Sequence, residues 1–215
     1  MLIYLRHGKT SHKAGGSEER LRGWLPIPLT AEGVKQAHDA ASQIMLQPDT
    51  AVTSDLPRAM QTADIVGQHL GRQITPDPNI RDWNTGDLAG QKVTDVLPIL
   101  HSLVQHPDMP APGGEPLNAY LARFVPEIKQ RVADPGVHLV IGHARGASII
   151  QGLASSVGGV GDSIDEDFLM KRPDVQPGGV MTVDPQWGIK MVNPDGSKKQ
   201  QRVDTGVESG SSRRP

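Results

Sequence analysis

Strands and helices alternate along this 215-residue chain, which predicts an α/β fold: a three-layer sandwich with a mainly parallel sheet flanked by helices. Three observations carry that expectation. Residues 2–5 form a short, unbroken apolar run and 137–141 (Val-His-Leu-Val-Ile) is the strongest strand pattern in the chain, each closely followed by a glycine, as in strands buried on both faces. The segments between them repeat apolar residues at helical spacing. Near the end of the ordered region, 179–184 and 187–193 read as two antiparallel strands joined at Pro185-Gln186.

The elements follow in order. After the first strand, residues 11–22 are polar and glycine-containing and read as a loop. The prolines of Trp24-Leu-Pro-Ile-Pro-Leu29 hold that segment extended. Thr30 is placed to cap a helix over 31–46, with Glu32 in its first turn and a stripe of Val34, Ala37, Ala41, Ile44 and Met45. Residues 51–53 predict a second strand. Pro57 suits the first position of the next helix, whose buried face is Ala59, Ala63, Val66 and Leu70. Ile74-Thr75 predicts a third strand. The helical pattern of 91–106 is interrupted by Pro98, and Pro126 is expected to kink the helix over 117–132. A helix over 145–155 follows the strand at 137–141, and 157–175 reads as an irregular excursion. The expected organisation is one domain over 1–193, then a disordered polar tail over 194–215, where almost no apolar residue remains.

Composition narrows the function. A formal net charge of -2 provides no basic field for nucleic acid. No apolar stretch approaches the roughly 20 residues that span a bilayer, and the short N-terminal apolar run is no signal peptide, so a soluble cytoplasmic protein is expected. With no cysteine there is neither disulfide nor thiolate chemistry. The histidines form no close metal-ligand pair on a convincing helix, and the glycines at 158, 159 and 161 follow no strand in a dinucleotide-binding context. No metal and no cofactor is expected.

Two strands end alike, in Leu5-Arg6-His7-Gly8 and Ile141-Gly142-His143-Ala144. The carboxyl ends of strands are where open α/β sheets bind ligands. Neighbouring strands lie about 4.8 Å apart, so two such imidazoles share a pocket if their strands are adjacent. Arg58, at the start of a helix after another strand, projects to the same edge. Two arginines, two histidines and helix N-termini describe a site for a dianion such as phosphate. Imidazole is a competent nucleophile near neutral pH, arginines neutralise phosphoryl oxygens, and a carboxyl group is needed to protonate the leaving oxygen.

The order of several motifs resembles the histidine phosphatase superfamily, which includes the cofactor-dependent phosphoglycerate mutases. The resemblance covers roughly residues 1–155. It rests on Leu5-Arg6-His7-Gly8-Lys9-Thr10, on Pro28-Leu-Thr-Ala-Glu-Gly33-Val-Lys-Gln-Ala37, and on Ser54-Asp-Leu-Pro-Arg58-Ala-Met-Gln61-Thr62-Ala63. Ile80-Arg-Asp82-Trp-Asn-Thr-Gly86-Asp-Leu88-Ala-Gly90, Pro112-Gly113-Gly114-Glu115 and Val140-Ile-Gly-His143 complete it. The resemblance implies a phosphoglycerate mutase-like fold of branch 1, with His7 as the phosphorylated nucleophile and Arg6, Arg58 and His143 lining the phosphate pocket. Asp82 matches the proton donor, where most relatives carry glutamate. Thr10, Ala144 and Glu115 complete the implied substrate contacts. Gly23-Trp24 stands where the family has Gly-Arg, and Arg145 stands where small residues are usual.

The expected activity is metal-independent hydrolysis of a phosphoric monoester, on a phosphorylated small molecule or a phosphoprotein. A mutase is the first alternative, set second because 91–114 is a modest insertion. A binding or regulatory member of the family is the other. The sequence leaves the oligomeric state open, a dimer included.

Overall fold

In the computed structural model the two buried strands expected from the sequence lie side by side at the centre of one seven-stranded sheet. The structure describes residues 1–12, 16–155, 170 and 173–201. Strands β1 (Leu2–Arg6), β2 (Thr50–Thr53), β3 (Thr75–Pro76), β4 (His138–Gly142), β5 (Val180–Val183), β6 (Ile189–Val192) and β7 (Lys198–Gln201) are ordered β3-β2-β4-β1-β5-β6-β7. β1 through β4 run parallel, with Arg6 opposite Gly142, and β5 to β7 extend the sheet antiparallel.

Alternation along the central strands makes the layers. Ile3, Leu5, Leu139 and Ile141 point to one face and pack with Ala40, Ala41, Ala63 and Val66 of α1 (Ala31–Gln43) and α2 (Pro57–Leu70). Leu2, Tyr4 and Val140 point to the other, against α3 (Val93–Gln105), α4 (Leu117–Ala133) and α5 (Ala144–Ser155). The two buried aromatics of α4, Tyr120 and Phe124, fill that second layer. Among the described residues no helix is long and apolar enough to cross a membrane.

Several boundaries differ from the sequence reading. Thr30 caps α1 as expected, accepting from Gly33 N at 3.1 Å, but the helix stops at Gln43 and Ile44 becomes its C-cap. Val34 and Met45 are accordingly exposed, while Ala37, Ala41 and Ile44 are buried. Pro98 does not break α3, while α4 covers Leu117–Ala133 with Pro126 inside it, close to the expected 117–132. Each proline removes one intrahelical bond, and burial of Val96, Leu100 and Leu103, or of Phe124, Ile128 and Val132, outweighs that loss.

The start of the polar tail is also ordered: Lys198–Gln201 pairs with β6 after a turn in which Asn193 N donates to Ser197 O. Lys199 Nζ meets Asp174 Oδ1 at 2.6 Å. An edge strand needs only backbone partners on one side, so its lack of apolar residues does not prevent pairing. Residues 202–215 of that tail, and most of the expected excursion at 157–175, lie outside the described residues.

Candidate active site

Because β1 and β4 are neighbours in register, their two terminal histidines meet: the rings of His7 and His143 lie 5.2 Å apart, edge to face. Both are buried. The chain leaves β1 through Gly8, whose missing side chain is required, since a Cβ there would lie 2.2 Å from Gly33 O at the start of α1. His7 N donates to Gly142 O at 3.0 Å, tying the two strand ends together.

The histidine hydrogen bonds define which ring nitrogens are available. His7 Nδ1 lies 2.7 Å from Gly8 O. A carbonyl can only accept, so Nδ1 carries the proton and Nε2 carries the lone pair. His143 Nε2 pairs with Ser54 Oγ at 2.8 Å, and Ser54 Oγ also accepts from Leu56 N. The serine hydroxyl keeps its own proton, and donating it to Nε2 places the ring proton on Nδ1, a buried atom without a hydrogen-bond partner among the described residues. Tyr4 Oη fixes the backbone of the same residue, accepting from His143 N at 2.8 Å and donating to His143 O at 2.9 Å.

Guanidinium groups supply the charge. Arg6 Nη1 donates to Val175 O at 2.8 Å, and its Nε is buried without a hydrogen-bond partner among the described residues. Arg58, fully buried at the second position of α2, donates to Gly23 O at 2.8 Å and Leu25 O at 3.3 Å. Burial lowers the Arg6 pKa to about 9, with the charge of Arg22 adding to it, and burial likewise lowers Arg58 to about 10. Burial holds His7 well below the ordinary histidine value, and the charges of Arg58, Arg22 and Arg6 hold it there. His143 is depressed first by burial and next by Arg58. Crowded, partly desolvated cations beside two neutral imidazoles favour entry of a dianion, which relieves their mutual repulsion.

Asp82 approaches this cluster from a loop between β3 and α3. Its Oδ2 lies 4.0 Å from Arg58 Nη2, and its Oδ1 accepts from Trp83 N at 3.0 Å. The loop is held by Arg123, which pairs with Glu115 at 2.6 Å and donates to the carbonyls of Asn79, Arg81 and Asp82. Arg81 forms a two-pronged ion pair with Asp55 and stacks 4.5 Å above Trp24.

Of the residues singled out from sequence, the structure brings together His7, His143, Arg6, Arg58 and Asp82. Ala144 opens α5 directly after His143 and offers the helix's first amide. The Thr10 hydroxyl is buried with no hydrogen-bond partner among the described residues, and its backbone bridges to Leu29. Glu115 is engaged elsewhere: it accepts from Asn84 N and Arg123, so it braces the Asp82 loop. Arg145 sits 5.1 Å over the Trp83 ring. Among the described residues no three His, Asp or Glu side chains gather into a metal-holding group. Sequence reasoning passed over Ser54, Tyr4, Arg22 and Arg123 as functional residues. Ser54, one residue past β2 and next to the arginine motif, was the most findable, because side chains just beyond a buried strand line the ligand edge.

A family model described as histidine phosphatase superfamily (branch 1) matches residues 2–158. The chain is 33% identical over 150 residues to a 2,3-bisphosphoglycerate-dependent phosphoglycerate mutase of Bradyrhizobium sp. (strain ORS 278), covering 64% of this chain and 70% of that protein. A probable phosphoglycerate mutase, GpmB, of Yersinia enterocolitica is 36% identical over 98 residues, covering 45% of this chain and 44% of its own length. The chain therefore spans less than half of the Yersinia protein. Phosphoglycerate mutase from Thermus thermophilus shares the fold with a TM-score of 0.61 at 24% identity, over 94% of this chain and 99% of that one. A mycobacterial glucosyl-3-phosphoglycerate phosphatase does so with a TM-score of 0.63 at 21% identity, over 95% and 98%. At these identities the two solved structures speak for the fold alone.

Proposed function

Because the chain belongs to the histidine phosphatase superfamily (branch 1), we propose that it is a phosphoric-monoester hydrolase working through a phosphohistidine on His7. The observation that carries this reading is the His7 Nδ1 bond to Gly8 O, which leaves Nε2 as a neutral nucleophile among guanidinium groups. Nε2 attacks phosphorus while the P–O bond to the alcohol breaks. Arg6, Arg58 and the His143 Nδ1–H neutralise the phosphoryl oxygens as charge shifts in the transition state. The Asp82 carboxyl gives its proton to the departing alcohol oxygen. Water then attacks phosphorus, Asp82 takes one of its protons, and the P–N bond breaks to free phosphate and restore His7. Substrates on this reading are phosphorylated small molecules or phosphoproteins, met in the cytoplasm, with no nucleic acid, membrane, metal or cofactor taking part.

The likeness to the Bradyrhizobium mutase supports a second reading, in which the phosphohistidine returns its phosphoryl group to a reoriented product instead of to water. Hydrolysis of 4-nitrophenyl phosphate in excess chelator separates the two. The hydrolase reading expects steady turnover in chelator, its abolition in His7→Ala, and an acid-labile labelled enzyme on rapid quenching. Turnover by His7→Ala would remove the nucleophile, loss of activity in chelator would remove the metal-free mechanism, and activity appearing only with added bisphosphoglycerate would favour the mutase.

A further inference from the structure

The segment 23–25 touches both halves of the site. Its backbone carbonyls, Gly23 O and Leu25 O, hold the Arg58 guanidinium, and its one indole, Trp24 Nε1, donates to Asp82 O at 2.7 Å. The same carbonyl accepts from Arg123 Nη2 at 2.9 Å, so the Asp82 peptide is pinned from two sides. With Oδ1 tied to Trp83 N, the remaining carboxyl oxygen is aimed at Arg58 Nη2, 4.0 Å away. Arg81, locked to Asp55, covers the indole face and keeps the ring in place.

We propose that Trp24 is a positioning residue for the proton donor: it sets the reach of Asp82 toward the leaving oxygen by fixing the Asp82 backbone to the segment that holds Arg58. The inference rests on the reading of Asp82 as the acid. Aspartate has a single methylene between backbone and carboxyl, so a displacement of its backbone passes almost undiminished to the carboxyl group. A misplacement of about 1 Å can lower a rate about a hundredfold. Trp24 touches the acid through the backbone only, and it bears on the anion clamp through a backbone that substitution leaves intact. Its removal therefore affects proton donation and spares phosphate binding.

Leaving-group dependence tests this. Departure of 4-nitrophenolate needs little protonation, whereas an alkoxide from glycerol phosphate needs the acid. Trp24→Phe keeps an aromatic ring under Arg81 and removes the N–H together with the five-membered ring that carries it. The expected result is a loss of roughly tenfold or more in kcat/KM on glycerol phosphate. On 4-nitrophenyl phosphate kcat/KM, which reports phosphohistidine formation and not the later hydrolysis that Asp82 also serves, holds within about twofold, and so does inhibition by inorganic phosphate. Arg123→Lys removes the second donor to Asp82 O and is expected to give the same selective pattern should Trp24→Phe be poorly folded. An equal loss on both substrates, weakened phosphate inhibition, or wild-type behaviour in the variants each overturns the positioning role. Asp82→Asn separates the two levels. If it leaves glycerol phosphate turnover intact, the acid assignment itself falls; if it abolishes that turnover while Trp24→Phe matches wild type, only the positioning inference falls.

Discussion

Replacing Tyr4 by phenylalanine removes one oxygen from the centre of the molecule. Tyr4 Oη is the partner of His143 N at 2.8 Å and a partner of His143 O at 2.9 Å. The carbonyl keeps a second bond, from Ala147 N at 3.1 Å, whereas the amide has no other among the described residues. An orphaned buried N–H costs about 1–3 kcal/mol, and the weakened carbonyl adds roughly 0.5 kcal/mol. Phenylalanine offsets part of this, because a phenol whose pKa burial has pushed up is itself poorly solvated. The net expectation is a destabilisation of about 2 kcal/mol, or about 4–8 °C in Tm for a chain of this size. Since the lost bonds anchor the backbone of His143, inhibition by inorganic phosphate is expected to weaken several-fold as well. Urea unfolding and phosphate inhibition measure the two effects on the same variant. A Tm within about 1 °C of wild type with unchanged phosphate binding would refute the reasoning that this hydroxyl joins β1 to the start of α5.

Other perturbations have equally definite outcomes. Ser54→Ala removes the group that holds His143 Nε2 at 2.8 Å. A bond of about 1 kcal/mol is then lost, so kcat/KM is expected to fall roughly five- to tenfold. Gly33→Ala would place a Cβ 2.1 Å from Lys9 O, backbone against backbone, and is expected to lower stability by about 2 kcal/mol or more in urea unfolding. Both buried histidines have pKa values depressed in the folded protein, so between their folded values and about 6.5 the unfolded chain binds more protons. Stability is therefore full above about pH 6.5 and declines as pH falls, by about 1.4 kcal/mol per pH unit for each histidine. A urea midpoint unchanged between pH 7 and pH 5 would contradict the depressed values. The same neutrality predicts that kcat/KM on 4-nitrophenyl phosphate shows no loss of the His7 nucleophile near pH 6.5.

Much of this architecture was legible because local chemistry and the fold agree. The strand at 2–5 is apolar on both faces and is buried on both, Thr30 caps the helix it precedes, and Pro57 occupies the first helical position. Where local rules misled, tertiary contacts outweighed them. Pro98 sits inside a continuous helix, and a segment without apolar residues forms β7 on the sheet edge. Trp24 was visible only as a residue in place of arginine in a family motif, and Glu115 only as a motif carboxylate. Their bonds to the Asp82 loop cross 58 and 31 positions of chain, a separation no local pattern reports.

By itself, the sequence determined the chemical inventory of the site and the edge of the sheet on which it lies. Arg6, His7 and His143 follow from the local hydrophobic pattern that ends a strand, and Arg58 from the helix start that Pro57 marks. Only the tertiary structure decided that β4 lies beside β1, so that the two imidazoles meet at 5.2 Å. It likewise decided that the segment after Arg22 reaches both Arg58 and Asp82. Those outcomes depend on strand order and long-range hydrogen bonds. They arise when the whole chain closes around its core, and no window of the sequence contains both partners.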